Sequence, residues 1–174
     1  VRPGALTGNA AASTARDAID PVVAADIGWL DALITSPDRT ANNPNLLLWH
    51  GRPWLIDHGA ALYIHHTWRD PDAHARGAFE RIRDHVLLPY AGSIAEADAR
   101  NAPRIDLASL DGLVAAIPDL WLPVDPVIGD ADAQRRAYVR YLLRRLEAPR
   151  SFALEADRVH AAAGVDGERV ERPF

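Results

Sequence analysis

Residues 38–59 read DRTANNPNLLLWHGRPWLIDHG, and the fold depends on this stretch. Its two apolar runs flank a turn at Gly51-Arg52, so the stretch predicts a small β-hairpin that covers residues 46–57. Asp38 lies shortly before the first strand, and Asp57 ends the second. Because a hairpin brings its two open ends together, we expect the two carboxylates to lie at the same mouth.

The polar residues at the ends of this hairpin are of the types that phosphoryl transfer requires. One carboxylate must orient or deprotonate an attacking hydroxyl, and a carboxylate with an amide oxygen can hold Mg²⁺ on nucleotide phosphates. Asp38 is the candidate for the first task, and Asn43 and Asp57 are the candidates for the second. Asp and Asn are also ordinary turn formers, because their side chains bond nearby backbone groups. The pattern therefore favours phosphotransfer only in combination with the hairpin.

This central block resembles the HipA-like kinases over residues 22–70. The catalytic pattern Asp-x-x-x-x-Asn of that family matches Asp38 and Asn43 without a gap, and its metal-binding Asp matches Asp57. The resemblance implies the helical C-terminal lobe of a protein-kinase-like fold. It also implies transfer of the γ-phosphoryl group of ATP, with Mg²⁺ as cofactor, to an acceptor hydroxyl on a protein or a small molecule.

The match departs from the family pattern at Thr40, where many relatives have His. Asn45, immediately before the leucine run, competes with Asn43 as the metal ligand, and the spacing favours Asn43. The resemblance also gives supporting roles to the residues beside the two aspartates, which are Arg39, His58 and Gly59. The arginine either pairs with a transferred phosphate or anchors the loop. The histidine either shapes the metal site or bonds the backbone.

Composition limits the classes of protein that the chain can form. Its 174 residues, 48% of them hydrophobic, are enough for one domain or one lobe of a larger one. A formal net charge of −5 argues against a nucleic-acid-binding domain, which carries a surplus of basic charge. No apolar run approaches the roughly 18 residues of a membrane span. We therefore expect a soluble, cytoplasmic protein that binds neither nucleic acid nor a membrane.

The basic residues of the chain bear on the mechanism, because all 19 are Arg and none is Lys. A kinase of this class holds the ATP phosphates with a strand Lys and a glycine-rich or equivalent loop of its N-terminal lobe. Neither is found in the sequence. We therefore expect an N-terminal kinase lobe, from the same gene or a separate piece, as the partner of this chain. The Val at position 1 likewise suggests a piece of a longer product.

The periodicity of apolar residues predicts a mainly α-helical lobe over residues 20–163, with the hairpin as its β element. Residues 1–19 read as an irregular N-terminal segment that follows an interlobe hinge, and residues 164–174 read as a flexible tail. Helices are predicted over residues 20–36, 73–88, 107–117, 130–146 and 151–163.

Two groups of side chains have a functional and a structural interpretation. Tryptophans 29, 49 and 54 are more typical of core packing than of a base-stacking platform. The arginines of the helix over residues 130–146 are more typical of a solvated face than of a phosphate site. Two other functions stay open for the chain: an inactive kinase-like scaffold module, and a metal-dependent hydrolase that uses Asp38 and Asp57 as paired acids.

Overall fold

The computed structural model describes residues 4–5 and 19–170 of the chain, with side chains from residue 19 to residue 163. Within this part the fold is mainly helical, as predicted. The helices are α1 (Pro21–Leu33), α2 (Pro71–Arg76), α3 (Ile94–Asn101), α4 (Leu107–Ala115), α5 (Ala131–Leu146) and α6 (Ser151–Val170). The strands are β1 (Gly4–Ala5), β2 (Leu46–Trp49) and β3 (Arg52–Leu55). None of the described helices is both long and apolar enough to cross a membrane.

The predicted hairpin is present, but its turn lies one residue earlier than the sequence suggested. Strands β2 and β3 pair antiparallel, with Leu46 opposite Leu55 and Trp49 opposite Arg52. The turn residues are therefore His50 and Gly51, whose φ angles are +51° and +71°. Positive φ at both central residues is what a type I′ turn requires, and this turn matches the twist of the two strands. Strand β3 ends at Leu55, so Asp57 lies beyond the hairpin.

Both ends of the chain carry more regular structure than the sequence predicted. Gly4–Ala5 forms a short strand that pairs antiparallel with β2, within the segment 1–19 that was expected to be irregular. Helix α6 continues to Val170, so it extends seven residues beyond the predicted helix end at residue 163, into the segment that was predicted to be a flexible tail. Residues 1–3, 6–18 and 171–174 lie outside the described residues.

The helix predicted over residues 73–88 is broken in the structure. Helix α2 begins at Pro71 and ends at Arg76, because Gly77 takes an extended conformation with ψ of 152°. Two 3₁₀ turns follow, over Glu80–Asp84 and Leu88–Tyr90. Short helical turns bend the chain repeatedly, and this lets apolar residues on either side of the glycine reach the same core.

Helix α1 lies at the centre of the larger hydrophobic core. Its Trp29 is 2% exposed and meets the Phe152 ring of α6 edge to face, with ring centroids 5.8 Å apart. The indole N–H donates to Asp98 Oδ1 of α3 at 2.8 Å. The tryptophan therefore joins three helices, and its predicted place in the core is confirmed.

The solvated arginine face predicted for α5 is wrong for Arg145, which is only 2% exposed. Its guanidinium donates to the backbone oxygens of Ala32 at 2.8 Å and Leu33 at 2.7 Å, at the C-terminal end of α1. It also donates to the Ala75 oxygen of α2 at 3.2 Å. A cation is favourable there, because the last carbonyls of a helix have no partner within the helix.

The tryptophans of the hairpin are not core residues, contrary to the prediction. Trp49 is 43% exposed and Trp54 is 51% exposed, and their rings lie 5.8 Å apart on one face of the sheet. The opposite face packs through Leu46 against a smaller cluster that includes Ile27 of α1 and Leu87. Only one face of the sheet is buried in the described chain, which explains the exposure of the two indoles.

Candidate functional site

The loop over residues 38–45 is anchored by the side chain of Arg39, which is 1% exposed. The guanidinium binds Asp31 of α1 through Nε to Oδ2 at 2.5 Å and Nη2 to Oδ1 at 3.4 Å. Its Nη1 donates to the backbone oxygen of Asn45 at the other end of the loop. Its Nη2 also lies 3.2 Å from Nε2 of His58. One buried side chain therefore connects α1, both ends of the loop and the turn that follows β3.

Asp31 is fully buried and is shared between two partners. The Leu87 N–H donates to Nδ1 of His85 at 3.2 Å, which places the ring hydrogen at Nε2, 3.0 Å from Asp31 Oδ2. Burial alone would raise the pKa of the Asp31 carboxyl, but the hydrogen bonds from His85 and Arg39 outweigh it and hold this pKa below its ordinary value. The lowered pKa favours the ionised form of Asp31, which is the counter-charge of the loop residue Arg39.

Backbone hydrogen bonds hold the loop in a compact form. Thr40 N–H lies 3.0 Å from the backbone oxygens of Asp38 and Asn43, and Asn43 N–H lies 3.2 Å from Thr40 Oγ1. The Val86 N–H donates to the Arg39 oxygen at 2.9 Å, so a backbone hydrogen bond connects the segment around His85 to the loop. Within this frame Asp38 is half-buried and Asn43 is exposed.

Asn45 and Asp57 share an unusual backbone conformation. Their φ angles are +46° and +53°, in the left-handed region that Asn and Asp tolerate better than most residues. The Ile56 N–H donates to the Asn45 oxygen at 3.1 Å, which ties the end of the loop to the residue before Asp57. The Asn45 Nδ2 atom is buried without a hydrogen-bond partner among the described residues. The Asp57 side chain is exposed.

In the structure, the contact between the two loops is made by the residues that follow Asp38 and Asp57, and not by the two carboxylates. Arg39 follows Asp38, His58 follows Asp57, and these two neighbours are in contact. No hydrogen bond links the Asp38 and Asp57 side chains within the described part of the chain. A Cβ added at Gly59 would lie 3.5 Å from Asp57 Oδ1, which is an ordinary van der Waals contact, so the space beside that carboxylate does not require a glycine.

The described residues do not form a site that would hold a metal ion through protein side chains alone. Among the described residues, no group of three or more His, Cys, Asp or Glu side chains could hold a metal. Mg²⁺ is typically bound by one or two carboxylates, together with water and substrate phosphates. Asp57 and the amides of Asn43 and Asn45 are residue types found in such sites, and their role as Mg²⁺ ligands stays a prediction.

Comparisons of the chain with protein-family models, with curated proteins and with solved structures found no match. The interpretation of the site therefore depends on its own geometry and on the pattern of residues 38–59.

Sequence reasoning missed Asp31 and His85, although the first has a recognisable signal. Asp31 lies four residues after Ile27 and three before Ile34, so it falls on the apolar face of α1. An acidic residue on a core face needs a buried partner, because an unpaired charge is costly to bury. The only residue in the loop that could supply a full positive charge is Arg39. His85 carries no comparable signal.

Proposed function

We propose that this chain is the C-terminal lobe of a HipA-like phosphotransferase, which moves the γ-phosphoryl group of ATP to an acceptor hydroxyl. The observation that carries the proposal is the double contact of Arg39, which binds the Asn45 backbone oxygen and approaches His58 Nε2. This contact holds the loop that begins at Asp38 against the turn that carries Asp57. A phosphotransfer site needs its hydroxyl-orienting group and its metal ligands fixed relative to each other.

In this proposal each polar residue of the site has one task. Asp38 accepts the proton of the acceptor hydroxyl, whose oxygen forms a bond to the γ-phosphorus while the bond from that phosphorus to the β,γ-bridging oxygen breaks. ADP leaves with that bridging oxygen. Asp57 and Asn43, or Asn45 as the alternative ligand, would hold Mg²⁺, which would neutralise charge on the phosphates. Arg39 positions the loop and is not free to bind a phosphate.

The remaining contacts to ATP come from an N-terminal lobe in this proposal. The chain contains no Lys to pair with the α- and β-phosphates and no glycine-rich loop to cover them. The partner lobe supplies both, and the acceptor is a protein or a small molecule that carries a hydroxyl. The chain by itself is expected to be a poor catalyst.

Calorimetric titration of the full-length gene product with ATP, in the presence and absence of Mg²⁺, tests the proposal. Asp57→Asn is the informative variant, because Asn tolerates the positive φ at this position while the negative charge is removed. We expect Mg²⁺-dependent ATP affinity to fall by about tenfold or more, equivalent to about 1.4 kcal/mol. Asp111→Asn, on the exposed side of α4, is the matched control and should leave the affinity unchanged.

The same titration, together with an assay of phosphoryl transfer from γ-labelled ATP, separates the alternative functions. A paired-acid hydrolase that uses Asp38 and Asp57 predicts no ATP binding in the unmodified protein. A scaffold module that retains nucleotide affinity predicts binding without transfer of the γ-phosphoryl group to any acceptor. Unchanged Mg²⁺·ATP affinity in Asp57→Asn would show that Asp57 is not a metal ligand.

A further inference from the structure

A cavity of 420 Å³ lies beside the turn that carries His58. Its walls come from the C-terminal half of α4, from α5 and from the turn around Leu62. The volume falls within the range of about 300–1,000 Å³ that is typical of small-molecule sites. None of the roles proposed for the phosphotransfer residues uses this cavity.

The cavity combines a buried apolar floor with an exposed apolar rim. Val114 and Leu142 in the floor are 5% and 7% exposed, whereas Leu113 and Trp121 at the rim are 64% and 73% exposed. Apolar side chains exposed singly are common on protein surfaces, but apolar residues grouped around a concavity indicate a binding site. The lining therefore favours a ligand with a large apolar surface.

The polar groups of the lining define the charge of the ligand. They are the imidazoles of His58 and His65 and the phenol of Tyr138, and none of the described residues that line the cavity is acidic or an arginine. Burial, followed by the charge of His66, lowers the pKa of His65, which favours the uncharged form of its ring. Burial also raises the pKa of Tyr138, with a contribution from Asp125. The described lining therefore offers no carboxylate and no guanidinium as a counter-charge to a charged ligand.

We propose that this cavity is a binding site for an uncharged, largely apolar small molecule that carries at least one hydrogen-bonding group. His58 belongs both to the cavity lining and to the contact with Arg39, so a bound molecule lies next to the side chain that holds the loop over residues 38–45. The proposal does not depend on the phosphotransfer activity, because it follows from the lining alone.

Binding of Nile red, an uncharged apolar dye, to the full-length gene product tests the site by fluorescence titration. Leu113→Glu places a charge at the rim, and because Leu113 is already exposed the fold should tolerate it. The substitution replaces an apolar contact of the rim with a charge, so the dissociation constant should rise by about tenfold, equivalent to about 1.4 kcal/mol. Leu107→Glu is the matched control on the same helix, since Leu107 is 54% exposed and does not line the cavity.

Nitrogen-15 spectra of the histidine rings locate the dye. Resonances of His58 and His65 should shift on binding, whereas those of His50 and His160, outside the lining, should not. Equal loss of binding in Leu107→Glu, or shifts at His50 and His160 alone, would overturn the proposal. Analytical sedimentation tests whether a second copy of the chain covers the cavity instead. In that case the unmodified protein would be a dimer that does not bind the dye, Leu113→Glu would be a monomer, and the proposal would be overturned.

Discussion

Arg39 Nη2 and His58 Nε2 lie 3.2 Å apart, which places the residue after Asp38 in contact with the residue after Asp57. A guanidinium only donates hydrogen bonds, so His58 Nε2 is the acceptor and its ring hydrogen is on Nδ1. The two loops are 19 residues apart in sequence and share one buried anchor. Their positions are therefore coupled through a single side chain.

Loss of the acceptor at residue 58 should loosen the loop over residues 38–45. We expect His58→Phe to speed amide hydrogen exchange in that loop and to lower the free energy of unfolding by about 1 kcal/mol, the usual net value of one hydrogen bond. His58→Gln retains an acceptor and is the control. Exchange measured by mass spectrometry distinguishes the two variants, and equally fast exchange in both would show that the contact does not hold the loop.

Asp31→Ala should destabilise the protein strongly, because it leaves the buried Arg39 guanidinium without its counter-charge. Removal of one partner of a buried ion pair costs about 3–5 kcal/mol. Asp72→Ala removes the partner of Arg76 in an exposed pair and should cost less than about 1 kcal/mol. Urea unfolding followed by circular dichroism measures both, and similar losses in the two variants would contradict the central role of Asp31.

Stability should also depend on the ionisation of Asp31 in acid. Its folded-state pKa is lowered, so its contribution to stability is fully present above the pKa of an unfolded aspartate, about 3.9, and is lost as the pH falls through the folded-state pKa. We expect the free energy of unfolding to fall less steeply below about pH 4 in Asp31→Asn than in the unmodified protein. Urea titrations across that range check this, and identical slopes would exclude Asp31 as a source of the acid sensitivity.

Asp38→Asn should lower the rate of phosphoryl transfer without changing the affinity for the nucleotide. If Asp38 accepts the proton of the acceptor hydroxyl, the rate of phosphoryl transfer should fall by about 10²–10⁴-fold while the affinity for Mg²⁺·ATP stays unchanged. Transfer from γ-labelled ATP by the full-length gene product is the measurement, with Asp111→Asn as control. A parallel loss of nucleotide affinity would instead place Asp38 among the metal ligands.

The elements that could be predicted are those whose signals are local. Asp20 caps α1 by accepting from the Val22 N–H at 2.8 Å, and the Pro at the first helical position was visible in the sequence. Helix α3 was overlooked although Ser93, which accepts from the Glu96 N–H at 3.1 Å, stands three residues before a glutamate. The helix predicted over residues 73–88 is broken at Gly77, because a helix pattern on both sides of a glycine does not require one continuous helix.

The features that could not be predicted depend on residues distant in sequence. Arg145 carries the same charge as the exposed arginines of α5, and only the packing of α1 and α2 around it makes it a buried donor. The same distinction between local signals and distant contacts applies to the residues of the candidate site. The pattern of Asp38, Asn43 and Asp57 was readable from spacing, whereas the support from His85 depends on a contact across 54 residues.

We expect the buried guanidinium of Arg145 to affect the order in which a growing chain folds. It donates to the Leu33 oxygen across 112 residues of sequence, so the end of α1 lacks this donor until α5 has left the ribosome. A nascent chain that stops before residue 145 would expose these carbonyls to water. We therefore expect the region around α1 to complete its packing only when most of the chain has been translated.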